Sequence, residues 1–162
     1  MLKQFEKPAV GEKIAKNKNE ARAMLEDAIK SGKAFEKLKK MVEYQGGNVK
    51  QIENPDLLPQ AKFKTQMKSQ KEGYIDNIHS MNLGILSMKL GGGREKKEDN
   101  INYAVGLEMK VKKGDKIKKD DILATVYHDE KLTDEWIESF YNTFSYSNEK
   151  TNPIPVVEEI LE

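Results

Sequence analysis

The sequence predicts an α+β protein: a helical hairpin first, then a small curved β module, then a closing helix. Three observations carry this. Ala21, Met24, Leu25, Ala28 and Ile29 recur at i, i+3, i+4, i+7 and i+8, the spacing of one helix face. Between residues 63 and 128 that period gives way to short apolar runs punctuated by glycine, such as Val105 to Val111 and Ile122 to Val126. Leu132, Trp136, Ile137, Phe140, Tyr141 and Phe144 then return to one helical face.

Residues 1–18 have no clean period, and Pro8, Gly11 and scattered lysines read as a tail. Asn19 can cap the first helix and Ser31-Gly32 ends it. The second helix carries Phe35, Leu38, Met41 and Val42 on one stripe and stops at Gly46-Gly47. Two short helices with one apolar face each need a partner surface, inside this chain or outside it. Residues 48–62 read as a linker, because Asn54-Pro55 and Leu58-Pro59 break both regular periods.

In the β module, Gly73 leads into Tyr74, Ile75 and Ile78. Ile85, Leu86, Met88 and Leu90 read as a strand running into Gly91-Gly92-Gly93. Asp99 to Ala104 reads as a short helix, and Val105 to Val111 alternates toward a turn at Lys113-Gly114-Asp115. Ile117 and Ile122 to Val126 complete the strands. Thr133-Asp134-Glu135 starts the closing helix, with a capping hydroxyl and acids in the first turn. Its aromatic face reads as core packing rather than a ligand groove. Ser145-Tyr146-Ser147 is a last short strand, and Pro153 and Pro155 precede a terminal apolar stretch, Val156 to Leu161.

A chain of 162 residues is one domain with appendages or two small ones. With 28 Lys+Arg against 27 Asp+Glu, no global charge favours nucleic acid or acidic lipid. The absence of cysteine excludes disulfides, thiolate metal sites and a cysteine nucleophile. No apolar run reaches the ~18–20 residues of a membrane span. Met1 to Pro8 lacks the apolar stretch of a signal peptide, so a cytoplasmic globular protein is expected. Arginine occurs only at Arg22 and Arg94, so most of the basic charge is lysine on a solvated surface.

Five constellations invite chemistry. Gly91-Gly92-Gly93-Arg94 can form an anion nest, but it matches neither established phosphate-loop pattern, and a tight turn is the simpler reading. Ser87-Met88-Lys89-Leu90 resembles the Met-Lys-Met tripeptide that biotin carriers present at a hairpin tip. Gly73-Tyr74-Ile75 and Val111 to Leu123 resemble the flanking half-motifs. Leucine replaces the second methionine, however, and three glycines follow directly, which weighs against modification at Lys89. Glu95 to Asp99 alternates in sign and reads as a solvated turn. His79 and His128 have no partner at metal or triad spacing. The lysine clusters at 37–40 and 110–119 lack the interleaved arginines and aromatics of a nucleic-acid footprint. The residues alone lead to an α+β module without a catalytic constellation.

A resemblance extends this. The ordered strings Ala21 to Phe35, Gln45-Gly46-Gly47-Asn48, Asn54 to Ala61, Lys71 to Ile75 and Leu90 to Gly106 resemble the C-terminal part of the pyrimidine-nucleoside phosphorylase and thymidine phosphorylase family. The similarity runs from about Glu20 to Val126 and more weakly to the end. Residues 1–18 match poorly. Gly92 stands where the family often has Ala, and Asn102 where it often has Asp.

The resemblance implies residues 19–62 as the end of the family's large α/β domain. It implies residues 63–162 as an α/β-hammerhead module, barrel-sandwich-like, with a C-terminal helix. The family's reaction is phosphorolysis of a pyrimidine nucleoside to free base and pentose 1-phosphate. Its phosphate loop, of the Lys-x-Ser-Gly-Gly-Val-Gly-Asp type, and its base-binding residues lie in the N-terminal half, and neither pattern occurs here. No catalytic, phosphate-binding, base-binding or metal-ligating residue and no cofactor is therefore expected in this chain. The expected partner is the N-terminal remainder of the enzyme, in the same chain or a separate one, with nucleoside and phosphate reached only through it. Nucleic acid and membrane are not expected partners. The rival readings are a free-standing interaction module that docks on a separate N-terminal half, and a biotin/lipoyl-type carrier at Lys89.

Overall fold

The computed structural model describes residues 14–153, which fall into two compact units, 14–57 and 58–153. Most of the expected N-terminal tail and all of the Val156–Leu161 stretch lie outside the described residues. No helix among them is long and apolar enough to cross a membrane.

The first unit is helical. Helix α1 spans Lys18–Lys30 and α2 spans Lys33–Tyr44. The cap of α1 is Asn17, two residues before the expected Asn19: its side chain accepts the Glu20 N–H at 3.0 Å. Glu20 sits in the first turn and its carboxylate accepts the Lys16 N–H at 2.7 Å, so the start is fixed from both sides. Ser31 closes α1 by donating its N–H and hydroxyl to the Asp27 carbonyl. The α2 carbonyls of Met41 and Val42 are taken by the N–H groups of Gln45 and Gly47, as the double glycine predicts.

The presumed linker holds more order than expected. Asn48 caps a five-residue helix, α3 (Val49–Glu53), and Pro55–Leu57 forms a 3₁₀ turn. The proline ends α3 rather than excluding it. Lys39 ties α2 to α3, reaching Glu36 at 2.7 Å and Glu53 at 3.2 Å. These two carboxylates raise its pKa above the ordinary lysine range.

The second unit contains two three-stranded antiparallel sheets. In the first, β5 (Ile122–His128) lies between β1 (Phe63–Lys68) and β3 (Gly106–Met109). Phe63 pairs with His128, Met67 with Ala124, and Leu107 with Val126. In the second, β2 (Gly73–Ile78) lies between β4 (Lys116–Ile117) and β6 (Phe144–Ser147). Residues 123–126 of β5 are all buried, not alternately buried, so both faces of this central strand are covered.

Helix α4 spans Ser80–Ser87, and a π-type turn, Met88–Gly92, continues it. The expected strand over Ile85–Leu90 is therefore helical. A short apolar run does not distinguish the two periods by itself; here Leu83, Leu86 and Leu90 meet the core at i, i+3 and i+7. The closing helix α5, Asp134–Tyr141, starts as expected: Thr133 Oγ1 accepts the Trp136 N–H at 3.2 Å. Its aromatic face is core. Phe140 is fully buried, with ring centroids 5.9 Å from Trp136 and 5.2 Å from Phe144. One cluster joins Met67, Leu123 and Val126 of the first sheet to Ile75, Ile117 and Phe144 of the second, with Leu86, Trp136 and Phe140 from the helices. This is the α+β arrangement the sequence predicts, with N-terminal helices, then strands, then a C-terminal helix.

Candidate functional site

The glycine-rich turn is the natural place to look for chemistry. Only Gly91 takes positive φ, at 98°, where the chain leaves the π turn. Its neighbours serve close packing. A Cβ on Gly92 would lie 3.0 Å from Ser87 Oγ and 3.1 Å from the Ser87 carbonyl oxygen; one on Gly93 would lie 3.2 Å from Met88 Cβ. An alanine at 92, frequent in the resembling family, therefore requires α4 and this turn to separate slightly. The three glycines let the chain double back on α4, which favours the turn over the anion nest.

The segment after the turn is not the expected helix over Asp99–Ala104. Asn102 diverts the backbone. Its own N–H donates to the Gly91 carbonyl at 2.8 Å, and its Oδ1 accepts the Ala104 N–H at 3.0 Å. Its amide Nδ2 donates to Asp129 Oδ2 at 2.7 Å. Asp129 Oδ1 in turn accepts the Lys62 N–H at 2.7 Å. That backbone bond, then the Asn102 bond, hold the Asp129 carboxyl below the ordinary aspartate range. Four segments distant in sequence meet at this clamp. Sequence reasoning noted Asn102 only as a family departure and missed Asp129. The local signal was an Asx-type turn, Asn102-Tyr103-Ala104, but its partner is 27 residues away and has no local signature.

Asp99 Oδ2 accepts the N–H groups of Glu95 and Lys96, so the alternating run is a capped, exposed turn, as expected. Arg94 is exposed at its start and has no hydrogen-bond or ion-pair partner among the described residues.

Beside the clamp lies an open cleft of about 400 Å³ whose lining includes Lys89, Leu90, His128, Lys131, Glu135 and Trp136. Several of its groups are already engaged. Trp136 Nε1 donates to the Leu86 carbonyl at 3.2 Å, and Lys89 faces Glu135 at 3.7 Å. His128 is buried. Its Nδ1 donates to the Glu130 carbonyl, which only accepts, at 2.8 Å, and its Nε2 lies at hydrogen-bond distance, 2.8 Å, from the Thr65 hydroxyl. It is a satisfied core histidine. His79 precedes α4 at the surface. No group of three or more His, Asp or Glu side chains able to hold a metal occurs among the described residues.

The structure overturns the geometry that a carrier at Lys89 needs. Lys89 lies in a helical turn after α4, not at a hairpin tip. The two half-motifs do meet, however. Gly73 pairs with Ile117 and Tyr74 with Lys116, the Ile75 N–H donates to the Asp115 carbonyl at 2.9 Å, and the Gly114 N–H donates to the Ile75 carbonyl at 2.8 Å. They build the second sheet. The lysine clusters are surface: Lys110 pairs with Glu108, and Lys116 lies over the Tyr74 ring. Two bonds, first from Lys110 and then from Tyr127, pull the Glu108 carboxyl below its ordinary range. What the site can do chemically is hold a loop in place and present Arg94.

The sequence profile of the pyrimidine nucleoside phosphorylase C-terminal domain matches residues 74–147. Pyrimidine-nucleoside phosphorylases of Staphylococcus aureus, strains MSSA476 and USA300, are each 35% identical over 148 residues, covering 91% of this chain and 34% of the relative. The chain spans about a third of the length of these curated relatives.

Proposed function

The second unit is a C-terminal domain of the pyrimidine-nucleoside phosphorylase family, and from that premise we propose that the chain is the C-terminal structural portion of such an enzyme, inactive alone. The assembled enzyme would be a pentosyltransferase that cleaves pyrimidine nucleosides with phosphate. This portion would supply no catalytic, phosphate-binding or base-binding residue and no cofactor. It reaches nucleoside and phosphate only through the N-terminal portion. The reading places the protein in the cytoplasm, on the sequence alone.

One observation carries the proposal most. Most of the groups that invited chemistry are spent on folding, Gly92 and Gly93 on contact with α4 and both nitrogens of His128 on Thr65 and Glu130, which leaves the exposed Arg94 as a lone donor. Phosphorolysis needs free donors aimed at phosphate and at the departing base. The test is phosphorolysis of uridine and thymidine by highly purified chain, alone and mixed with the N-terminal two-thirds of a Staphylococcus aureus relative. The chain alone should give no turnover. Turnover that a substitution within this chain abolishes would overturn the proposal. Activity that appears only on mixing would instead favour the free-standing docking module.

A further inference from the structure

The lysine cluster at 110–119 lacks interleaved aromatics in sequence, but the fold brings tyrosines to it from other strands. The turn that carries Lys68 and Lys71 packs on the turn that carries Lys118 and Lys119. The Ser69 N–H donates to the Asp121 carbonyl at 2.8 Å, and the Asp120 N–H donates to the Ser69 carbonyl at 2.9 Å. Residues 68–72 and 112–121 together hold seven lysines against four acids, whereas the rest of 58–153 holds nine basic residues against eleven acidic ones. The second unit therefore has one basic end on a slightly acidic body. Two of the four acids are spent locally, Asp115 Oδ2 on the Lys112 N–H at 2.9 Å and Asp121 Oδ2 on the Lys118 N–H at 2.7 Å. Among the described residues none of the seven ammonium groups makes a hydrogen bond or ion pair, whereas Lys39, Lys62, Lys89 and Lys110 each do. Lys71 and Lys116 lie instead over the rings of Tyr146 and Tyr74.

At this end an open groove of about 470 Å³ crosses the second sheet, and its lining includes Glu72, Gly73, Tyr74, Lys116, Lys118 and Asn148. Strand register puts its key groups on one face. Tyr74 pairs directly with Lys116, while the adjacent pair of Gly73 and Ile117 sends Ile117 into the core, so Tyr74 and Lys116 point outward. We propose that this groove binds single-stranded nucleic acid, with phosphates on Lys116 and Lys118 and an unpaired base on the half-buried Tyr74 ring. A polymer rather than a mononucleotide follows from the unpaired lysines that continue beyond the groove on both turns. A single strand follows from Tyr74, since only an unpaired base can lay its face on that ring, and bases stacked on aromatics beside a basic track give sequence-tolerant binding. The base takes the place that Lys116 holds over the ring, 5.8 Å from its centroid, and the freed ammonium turns to the phosphate. Lysine, a point charge on a flexible stem, suits backbone contact without sequence readout. Neither the groove nor its ligand depends on the proposed function.

The test titrates the purified full chain into a fluorescein-labelled oligothymidylate of about 20 nucleotides and follows anisotropy. Binding should show a Kd of about 1–100 μM near about 50 mM salt and weaken about sevenfold or more by about 200 mM, the slope expected of two phosphate contacts on a single strand. Lys116→Glu/Lys118→Glu should bind at least about tenfold more weakly. Lys96→Glu/Lys97→Glu, an equal change of charge on an exposed turn, should stay within about twofold. Tyr74→Leu should lose about fivefold or more with the salt slope unchanged, because the ring contributes stacking and no charge. The urea midpoint of each variant, read by Trp136 fluorescence, should match wild type. If the charge reversal lowers it, Lys116→Gln/Lys118→Gln carries the test, with a loss of about threefold. No binding by folded wild type at low salt would overturn the proposal. Equal losses in the two charge-reversed variants would also overturn it, since net charge would then be the cause. Equal affinity for the duplex form would remove the stacked base. Poly-glutamate competing as well as unlabelled oligothymidylate would make an acidic peptide the occupant and overturn nucleic acid.

Discussion

The two units apply the same local rules and reach different ends. Helix α1 begins on Asn17 and α5 on Thr133, each side chain holding a backbone N–H of the first turn. Yet α5 buries Trp136 and Phe140, while α1 buries only Ala21. Capping and periodicity decide that a segment is helical; burial decides whether the helix adds to global stability. The difference teaches that the hairpin is a finished local structure with an unfinished tertiary one.

The sharpest way to break the comparison is to remove one large apolar side chain from each unit. Phe140→Ala should cost about 3–5 kcal/mol in urea unfolding of the isolated chain, whereas Leu38→Ala should cost less than about 1 kcal/mol. A comparable loss in both would mean that the hairpin has a core after all. Next come two positive-φ positions beside β4. Gly114, at φ 90°, would place a Cβ 2.9 Å from the Thr151 carbonyl oxygen, so Gly114→Ala should cost about 2 kcal/mol. Asp120, at φ 71°, is the one described non-glycine residue in that region, and Asp120→Gly should raise the unfolding free energy slightly, by about 0.5 kcal/mol.

Equivalent cap deletions sharpen the contrast. Thr133→Ala should lower the global transition by about 1 kcal/mol, while Asn17→Ala should accelerate hydrogen exchange in α1 and leave that transition unmoved. The smallest expected effect is confined to acid. The folded pKa of Asp129 lies below its unfolded value of about 3.9. Its contribution is therefore complete above that value and is lost as pH falls through the folded pKa. In acid titrations followed by fluorescence, Asp129→Asn should be less stable than wild type near neutrality, and the gap should close toward pH 2. A gap independent of pH would remove the ionised carboxylate from the clamp.

Much of this was legible in the residues. The hairpin, the aromatic face of α5, the Lys113–Asp115 turn and the glycine-punctuated strands all follow from short-range spacing. What was not legible needed information from far along the chain. Ile85 to Leu90 became helical because Leu83, Leu86 and Leu90 share one buried side, which only the packed core reveals. Asp99 to Ala104 stayed irregular because Asn102 is bonded to Gly91 and Asp129. The proline at 55 ended a helix where it was expected to prevent one, a difference of a single turn. The site reading fared similarly: the glycine turn and the satisfied histidine were foreseen as types, while the clamp that joins them was not.

Strand β5 has a consequence for the order of events during synthesis. Among the described residues β1 and β3 both pair with β5 alone, and Phe63 must wait for His128 to find its register. The first sheet thus cannot begin to close until the ribosome has released the start of β5, Ile122 to Ala124, and cannot finish until it has released His128. Such long-range antiparallel closure is slow, on the order of milliseconds to seconds. The hairpin is made earlier and from local contacts, so a nascent chain displays its apolar helices while the domain behind them is still unformed. During that interval the sticky part of the molecule is exposed before its stable part exists.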